Sequence, residues 1–135
     1  MSHYTTLQTQ MVSAPHLVRA LADVGFAVVE VHETPQALYG FMGERREQGA
    51  EVIVRREHVG SASNDIGFLR GPEGVFTAIV SDYDRSRYDE AWLGRLTQRY
   101  AYHVAMDMLA EQGFSVVEEQ AAEDRSIHIV VRRMG

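Results

Sequence analysis

Apolar positions along this chain recur with two periods, and each change of period marks an element. Residues 4–12 alternate weakly and carry threonines, which predicts a strand. Leu17, Val18, Leu21 and Val24 then share one helical face, behind Ser13 as N-cap and Pro15 in the first turn. Gly25 stands where a helix makes a left-handed exit, and Phe26 where an apolar side chain packs back on the last turn. Residues 26–32 read as a strand that Pro35 interrupts, and residues 37–42 read as another. A charged turn over 44–49 leads into a strand over 51–57, with Val52 and Val54 on one face. Residues 60–64 are a loop by composition. Residues 66–69 and 75–80 flank Arg70-Gly71-Pro72-Glu73-Gly74, which predicts a hairpin. Residues 82–89 are charged, and Ser86 and Asp89 have capping-box spacing.

The longest periodic stretch follows, a helix over about 89–112. Trp92, Leu96, Tyr100, Val104 and Met108 form its apolar stripe, with Leu93, Ala101, Ala105 and Leu109 beside them. Gly113 ends it. Residues 114–120 and 126–133 are the last two strands; the second sets Ile127, Ile129 and Val131 on the core side and His128 toward solvent. One stretch also occurs twice. Leu21-Ala22-Asp23-Val24-Gly25-Phe26-Ala27-Val28-Val29-Glu30 returns as Leu109-Ala110-Glu111-Gln112-Gly113-Phe114-Ser115-Val116-Val117-Glu118. Each copy reads as a helix end, a glycine stop and a strand start. The expectation is a single α+β domain over 1–135: a mostly antiparallel sheet with two helices on one face and a pseudo-two-fold internal repeat. The element order is TATA-binding-like or helix-grip-like, an analogy that carries no function.

Composition narrows the chemistry more than the fold. Of 135 residues, 45% are apolar and 24% charged, ordinary for a globular domain. No apolar run approaches the roughly 20 residues that span a bilayer. The N-terminus has neither a basic nor an apolar leader region, so the sequence reads as cytoplasmic. There is no cysteine, which removes thiolate metal sites and cysteine nucleophiles. There is no lysine either: all 13 cationic side chains are arginine, which excludes Schiff-base chemistry and the Gly-Lys phosphate loop. A net charge of −6, with arginine pairs set among glutamates or in strands, argues against nucleic acid.

Candidate chemistry is sparse. Asp82 and Asp84 share a strand face, yet the calcium-loop template fails at Arg87 and Leu93, so no metal is expected, nor any cofactor. His16 reads as a surface residue in a first helical turn. His103 lies on the long helix beside Arg99, where it is a general base, a ligand, or a histidine bonded to a carboxylate or carbonyl; the last, structural, role is favoured. Arg95, Arg99, Tyr102 and Met106 face away from the stripe, the composition of a protein interface or of a solvated helix back. No nucleophile elbow or dinucleotide fingerprint is present, so no motif supports an enzyme.

Four blocks carry a family resemblance. They are Met1-Ser2-His3-Tyr4-Thr5 with Leu7 and Thr9-Gln10; Asp65-Ile66-Gly67-Phe68; Thr97-Gln98-Arg99-Tyr100-Ala101-Tyr102-His103; and Gln112-Gly113-Phe114 with Glu118-Glu119. With them the chain resembles the hypothetical chloroplast reading-frame thirty-five family of cyanobacteria, red-algal plastids and other bacteria. The likeness runs from the first residue to about Arg133, and residues 32–64 depart most. It implies a domain of unknown function. Members tend to be encoded near AAA-type ATPases and a small ferredoxin, which suggests an accessory or adaptor subunit with such an ATPase as partner; a homo-oligomer is compatible with this. Carried over by position, the candidate binding residues are His3, Asp65, Arg99, Tyr102 and His103. The alternative is a small enzyme or ligand-binding domain in which His3, Arg99 and His103 meet in one pocket beside Asp65.

Overall fold

A computed structural model describes residues 3–121 and 126–133. The elements run β1 (Tyr4–Gln8), α1 (Ala14–Asp23), β2 (Glu30–Tyr39), β3 (Arg45–Val54), α2 (Arg56–Val59), β4 (Ile66–Arg70), β5 (Phe76–Ser81), a 3-10 turn at Asp84–Ser86, α3 (Glu90–Glu111), β6 (Phe114–Ala121) and β7 (Ile127–Arg133). The first five strands form one antiparallel sheet in the order β1-β5-β4-β3-β2, and β6 and β7 pair as a separate two-stranded sheet.

Helix ends follow their sequence signals. The Ser13 side chain accepts from the His16 N–H and opens α1, with Pro15 tolerated in the first turn. Asp89, rather than Ser86, caps α3 by accepting from the Trp92 N–H. Gly25 and Gly113 hold φ of 112° and 82° at the two exits, a conformation that a Cβ disfavours. Leu17, Ala20 and Leu21 of α1 and Trp92, Leu93, Leu96 and Tyr100 of α3 bury against Val52, Val54, Ile66, Phe68, Phe76, Ala78 and Val80 of the sheet. This is the main core, with both helices on one face, as the sequence predicts. Buried positions on α3 end at Tyr100. Beyond it Val104 still packs against the core, and the last turns meet α1 and β6.

The other face has its own small core of Leu38, Ala50, Ile53 and Ile79, with Tyr4 and Leu69 packed against it. The outer ends of β2 and β3 cover it. Gly67 makes this possible, because a Cβ there would stand 2.8 Å from the Ala50 Cβ and 2.9 Å from Leu38 Cδ2.

Several boundaries move. Residues 26–29 form no strand: Phe26 turns inward onto Tyr88 and Trp92, with ring centroids at 5.5 and 6.2 Å. Pro35 does not end a strand but lies within β2, an edge strand where its missing N–H costs no ladder bond to a further strand. The expected turn at 44–49 is the start of β3; its charges alternate on an exposed strand end, and the turn falls just before it, at Gly43 with φ of 79°. Residues 56–59 make a helical turn, not the end of a strand. The repeat does not organise two halves. Its first copy leads through irregular chain into the main sheet, and its second leads directly into the separate hairpin.

Candidate functional site

The five candidate residues fall into three places. His3 lies at the start of β1, exposed, with its carbonyl accepting from the Asp82 N–H at 2.7 Å. Asp65 opens β4 and is 1% exposed. Its neighbours Ile66 and Phe68 point into the main core, so Asp65 and Gly67 face the opposite side of the sheet from α3. Arg99, Tyr102 and His103 lie together on α3. The structure therefore does not assemble the His3/Arg99/His103 pocket beside Asp65: the sheet stands between α3 and the Asp65 face.

The α3 group is a knot between helices. Asp23, the last residue of α1, accepts from Arg99 Nε at 2.8 Å and lies 2.6 Å from His103 Nε2 through the same oxygen. An acid at a helix C-terminus opposes the helix dipole, so Asp23 needs cations, and α3 supplies them. Burial works against its charge, but the hydrogen bonds from Arg99 and His103 outweigh that and hold the carboxyl below its ordinary range. A reciprocal knot lies further along. Asp107 of α3 meets His16 Nε2 at 2.7 Å and Arg19 Nη1 at 3.1 Å, both from α1. The His16 hydrogen bond, joined by Arg19, depresses its carboxyl too. Each helix thus gives one aspartate and takes back one arginine and one histidine. His16, read as a surface residue, is half-buried, and its Nδ1 also lies 2.6 Å from the Ser13 hydroxyl.

Tyr102 completes the α3 group. Its hydroxyl donates to Glu119 of β6 at 2.8 Å, which raises its own pKa, and the Arg99 guanidinium stacks 4.3 Å from its ring centroid. Arg99 and Tyr102 of the face expected to be open are therefore engaged by α1 and by β6, while Arg95 stays exposed. Tyr100, in the same sequence block, accepts from the Val12 and Ser13 N–H groups at 3.0 and 2.9 Å and pins the entry to α1.

Asp65 is an anchor as well. It accepts from the Tyr39 N–H at 2.7 Å, the Arg56 N–H at 2.6 Å and Arg55 Nη1 at 2.9 Å. Arg55 in turn clasps Glu30 with two bonds of 2.8 Å. That clasp holds the Glu30 carboxyl down at about 2. Burial, with the Asp65 charge adding to it, pushes the Tyr4 hydroxyl well above its usual range. Among the described residues no group of three or more metal-ligating side chains gathers. Nor is any helix long and apolar enough to cross a membrane.

Sequence reasoning missed Asp23, Asp107, His16, Glu119, Arg55 and Glu30. Only Asp23 carried a legible signal, an acid at a predicted helix end. The others depend on contacts ten or more residues apart in the chain.

The architecture defines a small α+β domain in which the most distinctive sequence blocks join its layers: the long-helix block ties α3 to α1 and β6, and Asp65 ties β4 to β2 and β3. The chain belongs to the family described as Protein of unknown function (DUF1257), which matches residues 20–130. It is similar to the protein called "Uncharacterized protein ycf35" in Cyanophora paradoxa, with 29% identity over 136 residues and 98% of each chain covered. Proteins of the same description in Pyropia yezoensis and Guillardia theta are 24% and 25% identical, again over 98% of each chain. No solved structure matches.

Proposed function

We propose that this protein is an accessory subunit that docks a protein partner against the side formed by the last turns of α3 and the β6–β7 hairpin. One observation carries the reading: the apolar face of that hairpin is only half covered. Phe114, Val116, Ile127, Ile129 and Val131 are all partly exposed, and Met108 on the adjoining helix is 52% exposed. A two-stranded sheet is marginal alone, and its spare apolar face and open edges suit an added partner element. Beside it, Met11, Tyr100, Ala101, Val104, Ala105 and Met108 line an open apolar groove of about 330 Å³. The partner is taken to be an AAA-type ATPase, which rests on the family resemblance.

Purification of the native protein at its natural expression level tests this. The wild type is expected to co-elute with an AAA-type ATPase. Met108→Glu, folded by circular dichroism, is expected to elute without it. A free monomer from native material, or a Met108→Glu protein that keeps its partner, overturns the reading.

A further inference from the structure

Beyond the partner face lies a polar cavity of about 290 Å³, between the loop that follows α2 and the 3-10 turn that follows β5. Ser61, Ser63, Tyr83, Asp84, Ser86 and Arg87 line it. Its floor is built rather than incidental. Asp84 is 4% exposed, and its Oδ2 accepts from the Asn64 N–H at 3.0 Å and the Ser81 hydroxyl at 2.8 Å, with the Asn64 amide at 3.4 Å. Asn64 and Ser81 are themselves 2% and 0% exposed. The two walls are thus tied together at their base.

Asp84 is unusual among the buried acids. Asp65 has Arg55, but Asp84 has no cation, and among the described residues no donor reaches its Oδ1. A buried carboxylate is costly unless its oxygens are bonded. Its second oxygen is not among the fully buried unpaired atoms and is open to a donor from outside the protein. Arg87, which also lines the cavity, is exposed, and among the described residues its guanidinium has no hydrogen bond or ion pair. Ser61, Ser63 and Ser86 line the same cavity. A buried carboxylate, an exposed guanidinium and neutral hydroxyls lining one small cavity are complementary to a small zwitterion.

We propose that this cavity binds a free α-amino acid with a small side chain. The ligand ammonium donates to Asp84 Oδ1, and the ligand carboxylate pairs with Arg87 and the serine hydroxyls. The volume is at the low end for ligand sites, roughly 300 Å³ and upward, which selects a small molecule. The site uses none of the residues of the α3 and hairpin side, so it stands or falls independently of the partner.

The test is a titration followed by amide NMR, with glycine and L-serine as zwitterions, glycinamide for the ammonium alone and acetate for the carboxylate alone. Glycine and L-serine are expected to shift the Ser61, Ser63 and Asp84 amides saturably, with glycinamide weaker and acetate weakest. Arg87→Ala, at an exposed position and so expected to fold, should weaken glycine by at least about tenfold and leave glycinamide unchanged, the loss of one charge-assisted hydrogen bond. Asp84→Asn should abolish both; where it does not fold, the Arg87→Ala comparison decides alone. Absence of saturable shifts with glycine, shifts located elsewhere, acetate binding as well as glycine, or an unchanged glycine affinity in Arg87→Ala overturns the proposal.

Discussion

Gly67 has no side chain because two neighbours occupy the space one would fill. With Ala50 and Leu38 at 2.8 and 2.9 Å from a would-be Cβ, Gly67→Ala forces the β2 end off the sheet. Overpacking of this kind costs about 1–3 kcal/mol, which a shifted urea midpoint would register. Pairing it with Leu38→Ala should recover part of the loss; strict additivity would mean that the two do not touch. Asp65 is the second residue to test. Its carboxylate is fully buried and shares its Oδ2 between the Tyr39 N–H and Arg55. Asp65→Asn places an amide among these donors, and breaking such a pair from one side costs roughly 3–5 kcal/mol. Arg55 keeps Glu30 in that variant, so a further Arg55→Met change should cost more rather than restore stability. A double variant as stable as the single one would mean that the backbone bonds, not the ion pairs, dominate. The sequence shows Asp65-Ile66-Gly67-Phe68 as a block but not its reasons. Ile66 and Phe68 are legible as alternate core positions. Asp65 and Gly67 are not, because their partners arrive from β2 and from β3 and the residues just after it.

At the scale of elements, pattern and position separate. Periodicity finds both long helices, the β4–β5 hairpin and the two final strands, since each contains its own signal. It does not find that β6 and β7 leave the main sheet, because alternation specifies a face and not a neighbour. Nor does it find that β2 runs through Pro35, because only the sheet order makes β2 an edge. The detached hairpin has a measurable consequence. It meets α3, to which Glu119 is bonded through Tyr102, whereas β4 is paired on both sides. Its amides should therefore exchange with solvent well before those of β3, β4 and β5. Tyr102→Phe should quicken exchange in β6 and β7 and leave β4 unchanged. Equal protection of both sheets would show that the hairpin is not an independent unit.

For the whole molecule, two electrostatic effects predict opposite responses to acid. The chain carries −6 overall with a sequence pI near 5.4, so lowering pH from neutral toward that value relieves self-repulsion and favours the compact state. The local effect runs the other way. Asp23, Asp107 and Glu30 all have folded pKa values below their ordinary ones, and Glu30 falls from 4.5 to about 2. A group depressed on folding stabilises the protein above its unfolded pKa, and that stability is lost as pH falls through the folded value. The window is thus from about pH 5 down to about 2. Distance decides which effect governs. Diffuse repulsion acts across the surface and is screened beyond roughly 8 Å at physiological salt, whereas the helix knots close at 2.6 to 3.1 Å. Their carboxylates are partly exposed, so each contributes modestly. Acting together, they hold α1 to α3, and both helices cover the main core. Stability in 0.15 M salt should accordingly stay nearly flat from pH 7 to 5 and fall steeply below. In Asp23→Asn/Asp107→Asn the value at pH 6 should drop and the acid slope should become shallower, because two of the three depressed groups are gone and Glu30 remains. A midpoint that instead rises as pH falls from 5 to 3, or an unchanged slope in the double variant, would assign the acid response to net charge and leave the knots as geometry alone.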